Sequence, residues 1–286
     1  MDQAGLGPSD RSPGLSERYA VIGNPVSHSR SPWIHARFAE QTAQKIEYGT
    51  LLSPVADFAA TVGGFRAAGG RGLNVTLPFK EEAFALVDEL SPRARAAGAV
   101  NTLIFSVGAM RGDNTDGCGL IRDVAANQGF GIAGRRVLLL GAGGAARGVL
   151  LPLLEESPAV ITIANRTLDK ANRMVGSLPP TWRGVPIVCG YSELEGQSFD
   201  LVINATSAGL GDTPLVLPRN LYLPGSLAYD MVYGRETAFL RAALAGGAAR
   251  SSDGLGMLVE QAAESFFLWR GVRPVTATVL AALRAA

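Results

Sequence analysis

The chain has 286 residues, 47% of them hydrophobic and 18% charged, with a formal net charge of +1. That length accommodates two domains of ordinary size, and the apolar content calls for a packed core rather than disorder. A near-neutral balance with no Lys/Arg block longer than a pair gives no basis for a polyanion surface, so nucleic acid is not an expected partner.

In chain order, residues 1–18, "MDQAGLGPSDRSPGLSER", mix Gly, Pro, Ser and charge without an apolar run, and they read as a disordered tail rather than a signal peptide. Short apolar runs then alternate with helix-length segments. Strands are expected at "YAVIGN", "IEYGTLL", "GLNVTL", "VNTLIF", "RRVLLLG", "VITIAN", "PIVCG", "FDLVINA" and "LAYDMVY", and helices at 31–42, 55–68, 117–128, 144–156, 168–177 and 236–246. Two further helices, 255–270 and 275–286, follow with no strand after them. This alternation predicts an α/β fold with parallel sheets. "VLLLGAGGAARGVLLPLL" (137–154) is long enough to suggest a membrane span. Its central Arg147, four glycines and Pro152 favour a buried strand followed by a buried helix, so no membrane partner is expected.

The expected organisation is two-lobed. Residues 19–116 form an N-terminal α/β substrate lobe, and a fresh βαβ series over 117–252 forms a Rossmann-type lobe. Residues 253–286 are expected to return and pack on the first lobe. Cys118 and Cys189 lie 71 residues apart with no CxxC pair, and His28 and His35 lack any HExxH context. Neither a disulfide framework nor a metal site is expected, and a reducing, cytoplasmic compartment fits best.

In "NPVSHSRSP" (24–32), Ser27, Ser29 and Ser31 alternate, so an extended chain would aim all three hydroxyls one way. Ser31 before Pro32 reads as an N-cap followed by proline at the first helical position, and hydroxyls beside a helix N-terminus suit a carboxylate. "NVTLPFKEEAF" reads as a strand stopped by Pro78, with Asn74 and Thr76 on one face at its C-terminal end and Lys80 just beyond. That is the end at which open α/β sheets bind ligands. "GAVNTLIF" adds Asn101, and "GDNTDG" adds Asp113 and Asp116, which alone would serve as turn residues or a helix N-cap.

Gly141, Gly143 and Ala146 fit the G-x-G-x-x-A pattern between a strand and a helix. Small residues there permit the turn, admit a pyrophosphate to the backbone and let helix and strand pack closely. A NAD-binding chain places Asp or Glu at the end of the next strand, where this one has Asn165, Arg166 and Thr167. The Arg166 fork can grip a 2′-phosphate, and Lys170, one helical turn on, adds a second positive charge. The expected cofactor is therefore NADP rather than NAD.

"VIGNPVSHSRSP", "NVTLPFKE", "GAVNT", "GDNTDG", "GAGGAARG", "ANRT", "NATSAG", "YDMVY" and "DGLGMLVEQAA" together resemble the shikimate dehydrogenase family, in order and over residues 19–286. The resemblance implies reversible NADPH-dependent reduction of 3-dehydroshikimate to shikimate, in the route to chorismate and the aromatic amino acids, within a cleft between the lobes. It assigns a catalytic dyad to Lys80 and Asp116, in which the carboxylate keeps the lysine charged. It assigns carboxylate binding to Ser29 and Ser31, and substrate hydroxyls to Asn74, Thr76, Asn101, Tyr233 and Gln261. Cofactor contacts fall on Gly141, Ala142, Gly143, Gly144, Ala145, Asn165, Arg166, Thr167, Lys170, Thr206, Met231 and Gly254. The tail and the details of the 207–226 loop lie outside the resemblance.

Alternatives are a quinate/shikimate dehydrogenase of broader use, the methylene-tetrahydrofolate dehydrogenase class and a non-catalytic NADPH-binding regulator. Ser29, Ser31 and Asp116 disfavour the second, and retention of Lys80 and Asp116 disfavours the third. The sequence leaves the oligomeric state open, a homodimer being one option.

Overall fold

The computed structural model describes residues 16–206 and 215–285. Most of the expected N-terminal tail and the 207–214 part of the following loop lie outside these residues. In chain order the first elements are β1 (Glu17–Gly23), α1 (Ser31–Thr42), β2 (Ile46–Leu52), α2 (Phe58–Ala67), β3 (Gly70–Val75), α3 (Lys80–Leu86), β4 (Glu89–Leu90), α4 (Pro92–Ala97), β5 (Thr102–Phe105) and β6 (Met110–Asp113). They are followed by α5 (Asp116–Arg122), β7 (Arg136–Leu140), α6 (Gly144–Glu155), β8 (Val160–Ala164), α7 (Leu168–Gly176), β9 (Ile187–Cys189), β10 (Phe199–Asn204), β11 (Tyr222–Asp230), α8 (Ala238–Ala245), β12 (Arg250–Ser252), α9 (Leu255–Arg270) and α10 (Thr276–Ala285).

The chain divides into two compact units, one of Met1–Leu90, Val100–Asp113 and Ala262–Ala286, the other of Ser91–Ala99 and Asn114–Gln261. The division falls inside α9, so residues 255–261 count with the second unit and 262–270 with the first. β1 begins at Glu17, two residues inside the stretch read as a tail. The Glu17 amide donates to the Lys45 carbonyl, its carboxylate pairs with Arg270, and the Arg18 guanidinium reaches the Ala68 carbonyl.

The first unit is built on a six-stranded mixed sheet in the order β2-β1-β3-β5-β6-β4. β1 runs parallel to β2 and β3, whereas β5 is antiparallel to both β3 and β6. The second unit carries a six-stranded sheet, β12-β11-β10-β7-β8-β9, in which every pairing is parallel. Order reverses between β7 and β10, the switch point of a doubly wound sheet, where such folds bind nucleotides. Both faces of this sheet are covered. Val137 and Leu139 pack with Val149, Leu153, Ile161 and Ile203 on one side, and Leu138 and Leu140 with Phe199, Val202 and Phe239 on the other. Burial on both faces explains why its strands read as continuous apolar runs rather than alternating ones.

The nine expected strands and the eight expected helices each overlap an observed one. The expected 117–128 helix is α-helical from Asp116 to Arg122 and continues as π turns over Asp123–Asn127. The elements not expected are short: β4, β6, β12, α3 and α4. β6, "MRGD", ends in the turn residues Gly112 and Asp113 and owes its pairing to β5 across register pairs such as Leu103 with Gly112. α4 did carry a local start signal, since Ser91 precedes Pro92 and its Oγ accepts from the Ala94 amide at 3.2 Å.

Asp116 opens α5, and α5 lies close against α6. Pro152 cannot donate to the Gly148 carbonyl within α6. A Cβ on Gly117 would fall 2.7 Å from that carbonyl and collide with the Pro152 ring. Glycine at 117 is therefore required by close approach and not by backbone angle. Gly117→Ala should lower stability by about 1–3 kcal/mol, the usual cost of overpacking. Chemical denaturation checks this, and an unchanged midpoint would contradict the close approach.

Candidate functional site

In the second unit, β7 runs into Gly141 at φ +105°, a conformation that disfavours any side chain, and a Cβ there would also press on Ala205 and on Thr206 Cγ2 at 3.1 Å. Two residues on, Gly143 precedes α6 without a side-chain cap, and the helix ladder begins with Arg147 donating to the Gly143 carbonyl at 3.0 Å. The amides of Gly144, Ala145 and Ala146 precede that ladder, which gives the helix end its affinity for anions. A Cβ on Gly143 or Gly144 would meet only open space, and both are exposed with Ala145, while Ala142 is half-buried and Ala146 fully buried. The turn is thus close-packed beneath and open above, the shape a phosphate-binding turn requires.

The C-terminal end of β8 supplies cations. Asn165 is tied into this turn, its amide donating to the Cys189 carbonyl at 3.1 Å and its Nδ2 to the Thr167 carbonyl at 2.7 Å. Arg166, Thr167 and Lys170 are all exposed. Burial raises the Tyr191 phenol above its ordinary value, and Arg166 nearby opposes that rise. At the ends of β10 and β11, Thr206 and Met231 are half-buried, and the Met231 amide donates to the Asn204 carbonyl at 3.0 Å. Gly254 is buried with its Cα so close to the Met231 carbonyl that a Cβ would collide with it. Tyr233 stands exposed just beyond β11.

In the first unit the polar residues gather at the C-terminal ends of β1 and β3. The Thr76 amide donates to the Ile22 carbonyl at 2.9 Å, and the Asn24 amide to the Leu77 carbonyl at 3.0 Å. A Cβ on Gly23 would lie 2.5 Å from Thr76 Cγ2, so only glycine lets these strand ends meet. Asn74 is buried in a polar cluster. Its Nδ2 donates to Ser265 Oγ at 3.0 Å and lies 3.3 Å from both Thr102 Oγ1 and the Asn101 carbonyl, while Tyr48 donates to its Oδ1 at 2.7 Å. Thr102 donates in turn to Asn101 Oδ1 at 2.9 Å. Lys80 opens α3, half-buried, its carbonyl accepting from the Val100 amide at 2.9 Å.

Two expectations for the serine segment need correction. Residues 24–30 turn instead of extending, because the Ser29 amide donates back to the Val26 carbonyl at 3.1 Å, so the three hydroxyls do not share an extended face. Ser31 is the first residue of α1 rather than its cap, the cap position being Arg30. The capping hydroxyl belongs to Ser29, whose Oγ accepts from the Ser31 amide at 3.2 Å. Ser31 is buried and lies against Tyr48, while Ser29 is half-exposed.

In the second unit Asp116 is buried, and its amide donates to Asn114 Oδ1 at 3.1 Å. Gln261 accepts from Thr115 Oγ1 at 3.3 Å and donates to the Leu258 carbonyl at 2.9 Å. Among the described residues there is no group of three His, Cys, Asp or Glu that could hold a metal, and no helix is long and apolar enough to cross a membrane. Sequence reasoning missed Tyr48, Thr102 and Ser265, whose bonds to Asn74 join residues far apart in the chain and leave no local pattern.

A glycine turn at the switch point of a doubly wound sheet, followed by cations at the next strand end, defines a Rossmann-type dinucleotide-binding unit suited to a 2′-phosphate. The polar strand-end cluster of the first unit suits a small hydroxylated ligand. Family models agree: the shikimate dehydrogenase substrate binding domain matches residues 21–103, shikimate/quinate 5-dehydrogenase matches 123–216, and the shikimate 5′-dehydrogenase C-terminal domain matches 254–284. A shikimate dehydrogenase (NADP(+)) of Methylobacillus flagellatus is 59% identical over 270 residues, covering 94% of this chain and 100% of its own. That of Aromatoleum aromaticum is also 59% identical, covering 94% and 97%. The shikimate 5-dehydrogenase of Thermus thermophilus, solved in complex with NADP(H) and shikimate, superposes with a TM-score of 0.82 at 34% identity, covering 94% of this chain and 99% of its own. The chain belongs to the shikimate dehydrogenase family.

His35 underlies the first-unit cluster. It is fully buried, stacked on Tyr48 with ring centroids 4.1 Å apart, and neither ring nitrogen has a hydrogen-bond partner among the described residues. Burial lowers it to about 3, and the nearby Asn74 side chain offsets part of that shift without reaching hydrogen-bond geometry. The folded value lies below the unfolded one, so the unfolded chain takes up the proton first, and stability is lost as pH falls from 6.5 toward 3. The loss should approach about 1.4 kcal/mol per pH unit in that window. His35→Leu should flatten the acid limb of a stability profile measured by denaturant titration, and an unchanged slope would contradict this assignment.

Proposed function

We infer that this chain is an oxidoreductase that catalyses the reversible, NADP-dependent reduction of 3-dehydroshikimate to shikimate. The observation that carries the reading is the family match across both units. The glycine turn, open above Gly143 and Gly144, and the exposed Arg166 and Lys170 fit a dinucleotide with a 2′-phosphate. The residues proposed to hold it are Gly141–Ala145, Asn165, Arg166, Thr167, Lys170, Thr206, Met231 and Gly254.

Bound NADPH supplies the hydride that converts a ketone carbon to a carbinol. The chain's own task is to hold the substrate and manage one proton. Lys80 is proposed to donate that proton to the carbonyl oxygen during reduction and to take it from the alcohol in reverse. Asp116 is proposed to accept from a substrate hydroxyl and to favour the charged lysine. Ser29 and Ser31 are proposed to bind the carboxylate, a role in keeping with hydroxyls at the start of α1. Asn74, Thr76, Asn101, Tyr233 and Gln261 are proposed for the hydroxyls. A reducing, cytoplasmic compartment belongs to the same proposal, in keeping with a sequence of two cysteines and no CxxC pair.

Lys80→Ala tests the chemistry. Turnover should fall by roughly 10²–10⁴-fold, the usual share of a positioned acid or base. Calorimetric binding of shikimate and NADP should stay within about tenfold, a change of about 1.4 kcal/mol. Near-normal turnover would remove Lys80 from the mechanism. Asp116→Asn should lower turnover and weaken shikimate together.

Arg166→Ala tests the cofactor assignment. Losing a charge-assisted bond to phosphate costs roughly 1.5–3 kcal/mol, so the Michaelis constant for NADP should rise about tenfold to a hundredfold. That for NAD should barely move. Equal weakening toward both would reduce Arg166 to a structural residue.

A further inference from the structure

Asp230 ends β11 with 0% exposure, and three donors satisfy its carboxylate. Oδ2 accepts from Asn204 Nδ2 at 3.2 Å and from Thr237 Oγ1 at 2.6 Å, and Oδ1 accepts from the Val232 amide at 3.1 Å. Asn204, also buried, turns its other end away. Its Oδ1 accepts from the Thr206 amide at 3.2 Å and from the Thr206 hydroxyl at 2.7 Å. An ionised carboxylate only accepts, so it dictates which end of the Asn204 amide faces it. With Nδ2 committed to Asp230, Oδ1 is left to Thr206.

These bonds end at the glycine turn. Thr206 Cγ2 and Ala205 form the wall against Gly141, and the Ala205 amide donates to the Leu140 carbonyl at 2.9 Å. The same carboxylate holds the Val232 amide, between Met231 and Tyr233. One buried carboxylate therefore ties together two neighbouring strand-end segments, 204–206 and 230–232, the first of which borders the turn.

We propose that Asp230 is a positioning residue of the dinucleotide site, acting through Asn204 on Thr206 and through Val232 on Met231. Fully buried, it works through these segments and not by contact with a ligand. The inference rests on the NADP reading above. In Asp230→Asn the new side chain both donates and accepts, so Asn204 is free to turn over and present Nδ2 to Thr206, whose two donors then lose their acceptor.

Calorimetric titration of NADP, beside thermal midpoints, separates this relay from a merely structural carboxylate. Asp230→Asn should weaken NADP about tenfold, the scale of one lost hydrogen bond near a ligand. Thr237→Val removes a different donor from the same carboxylate and a cap from α8, so it should lower the midpoint and leave NADP affinity within about twofold. Asp230→Asn combined with Thr206→Val should be no weaker than the worse single variant, because both act on one contact. Additive losses, or a Thr237→Val defect equal to that of Asp230→Asn, would overturn the relay. If Asp230→Asn does not fold, Asn204→Ser replaces it in the same cycle, and additivity again overturns the proposal. Wild-type protein that fails to bind NADP would overturn the cofactor reading itself, whereas tight wild-type binding with additive variants overturns the relay alone.

Discussion

A side chain at position 141 would press on Ala205 and Thr206, on a backbone held at φ +105°. This constraint fixes how β7 leaves its sheet. The chain turns within three residues and starts α6 with first amides that have no partner within the helix, in front of open space over Gly143 and Gly144. Were the turn wider, the helix end would sit away from the strand ends and the anion site would not form. Burial of both sheet faces supports it from below, because β7 is sandwiched between apolar layers that leave its exit no alternative direction.

The two units solve a similar problem by different means. The second presents backbone amides and exposed cations, which suit a phosphate-rich ligand. The first presents neutral donors and acceptors at the ends of β1 and β3, held in place by side-chain bonds among Tyr48, Asn74, Asn101, Thr102 and Ser265. Such a cluster is valuable only when its members are satisfied, since a buried polar group without a partner costs about 1–3 kcal/mol. Close approach by glycine recurs in both units: Gly23 admits Thr76, and Gly117 admits the Gly148 carbonyl.

Elements with a strong local pattern were legible in the sequence. The β7–turn–α6 passage announced itself through Gly141, Gly143 and Ala146, because turn, phosphate approach and helix packing each demand small residues at fixed spacing. Arg166 in place of an acid led to the expectation of NADP, the cofactor in the names of the relatives. What escaped depends on partners far along the chain. β12 has three residues and exists through its pairing with β11. Tyr48 looked like a strand aromatic until its hydroxyl met Asn74, 26 residues away. The alternation of Ser27, Ser29 and Ser31 suggests an extended segment with Ser31 as the cap. A turn closed by the Ser29 amide shifts the cap to Arg30 and the capping hydroxyl to Ser29. Asp230 lies in "YDMVY" and Asn204 in "NATSAG", yet their pairing joins the ends of two neighbouring strands and no spacing rule reveals it.

The central claim is that one chain joins a 2′-phosphate-selective dinucleotide turn to a substrate lobe built for shikimate. Initial rates of nicotinamide reduction by the wild-type protein, with shikimate as the alcohol and NADP or NAD as the oxidant, test it in one experiment. The account predicts robust reduction with NADP and a kcat/KM at least about tenfold lower with NAD, the scale of one charge-assisted phosphate contact. No reduction with shikimate, or equal kcat/KM for the two cofactors, would contradict it.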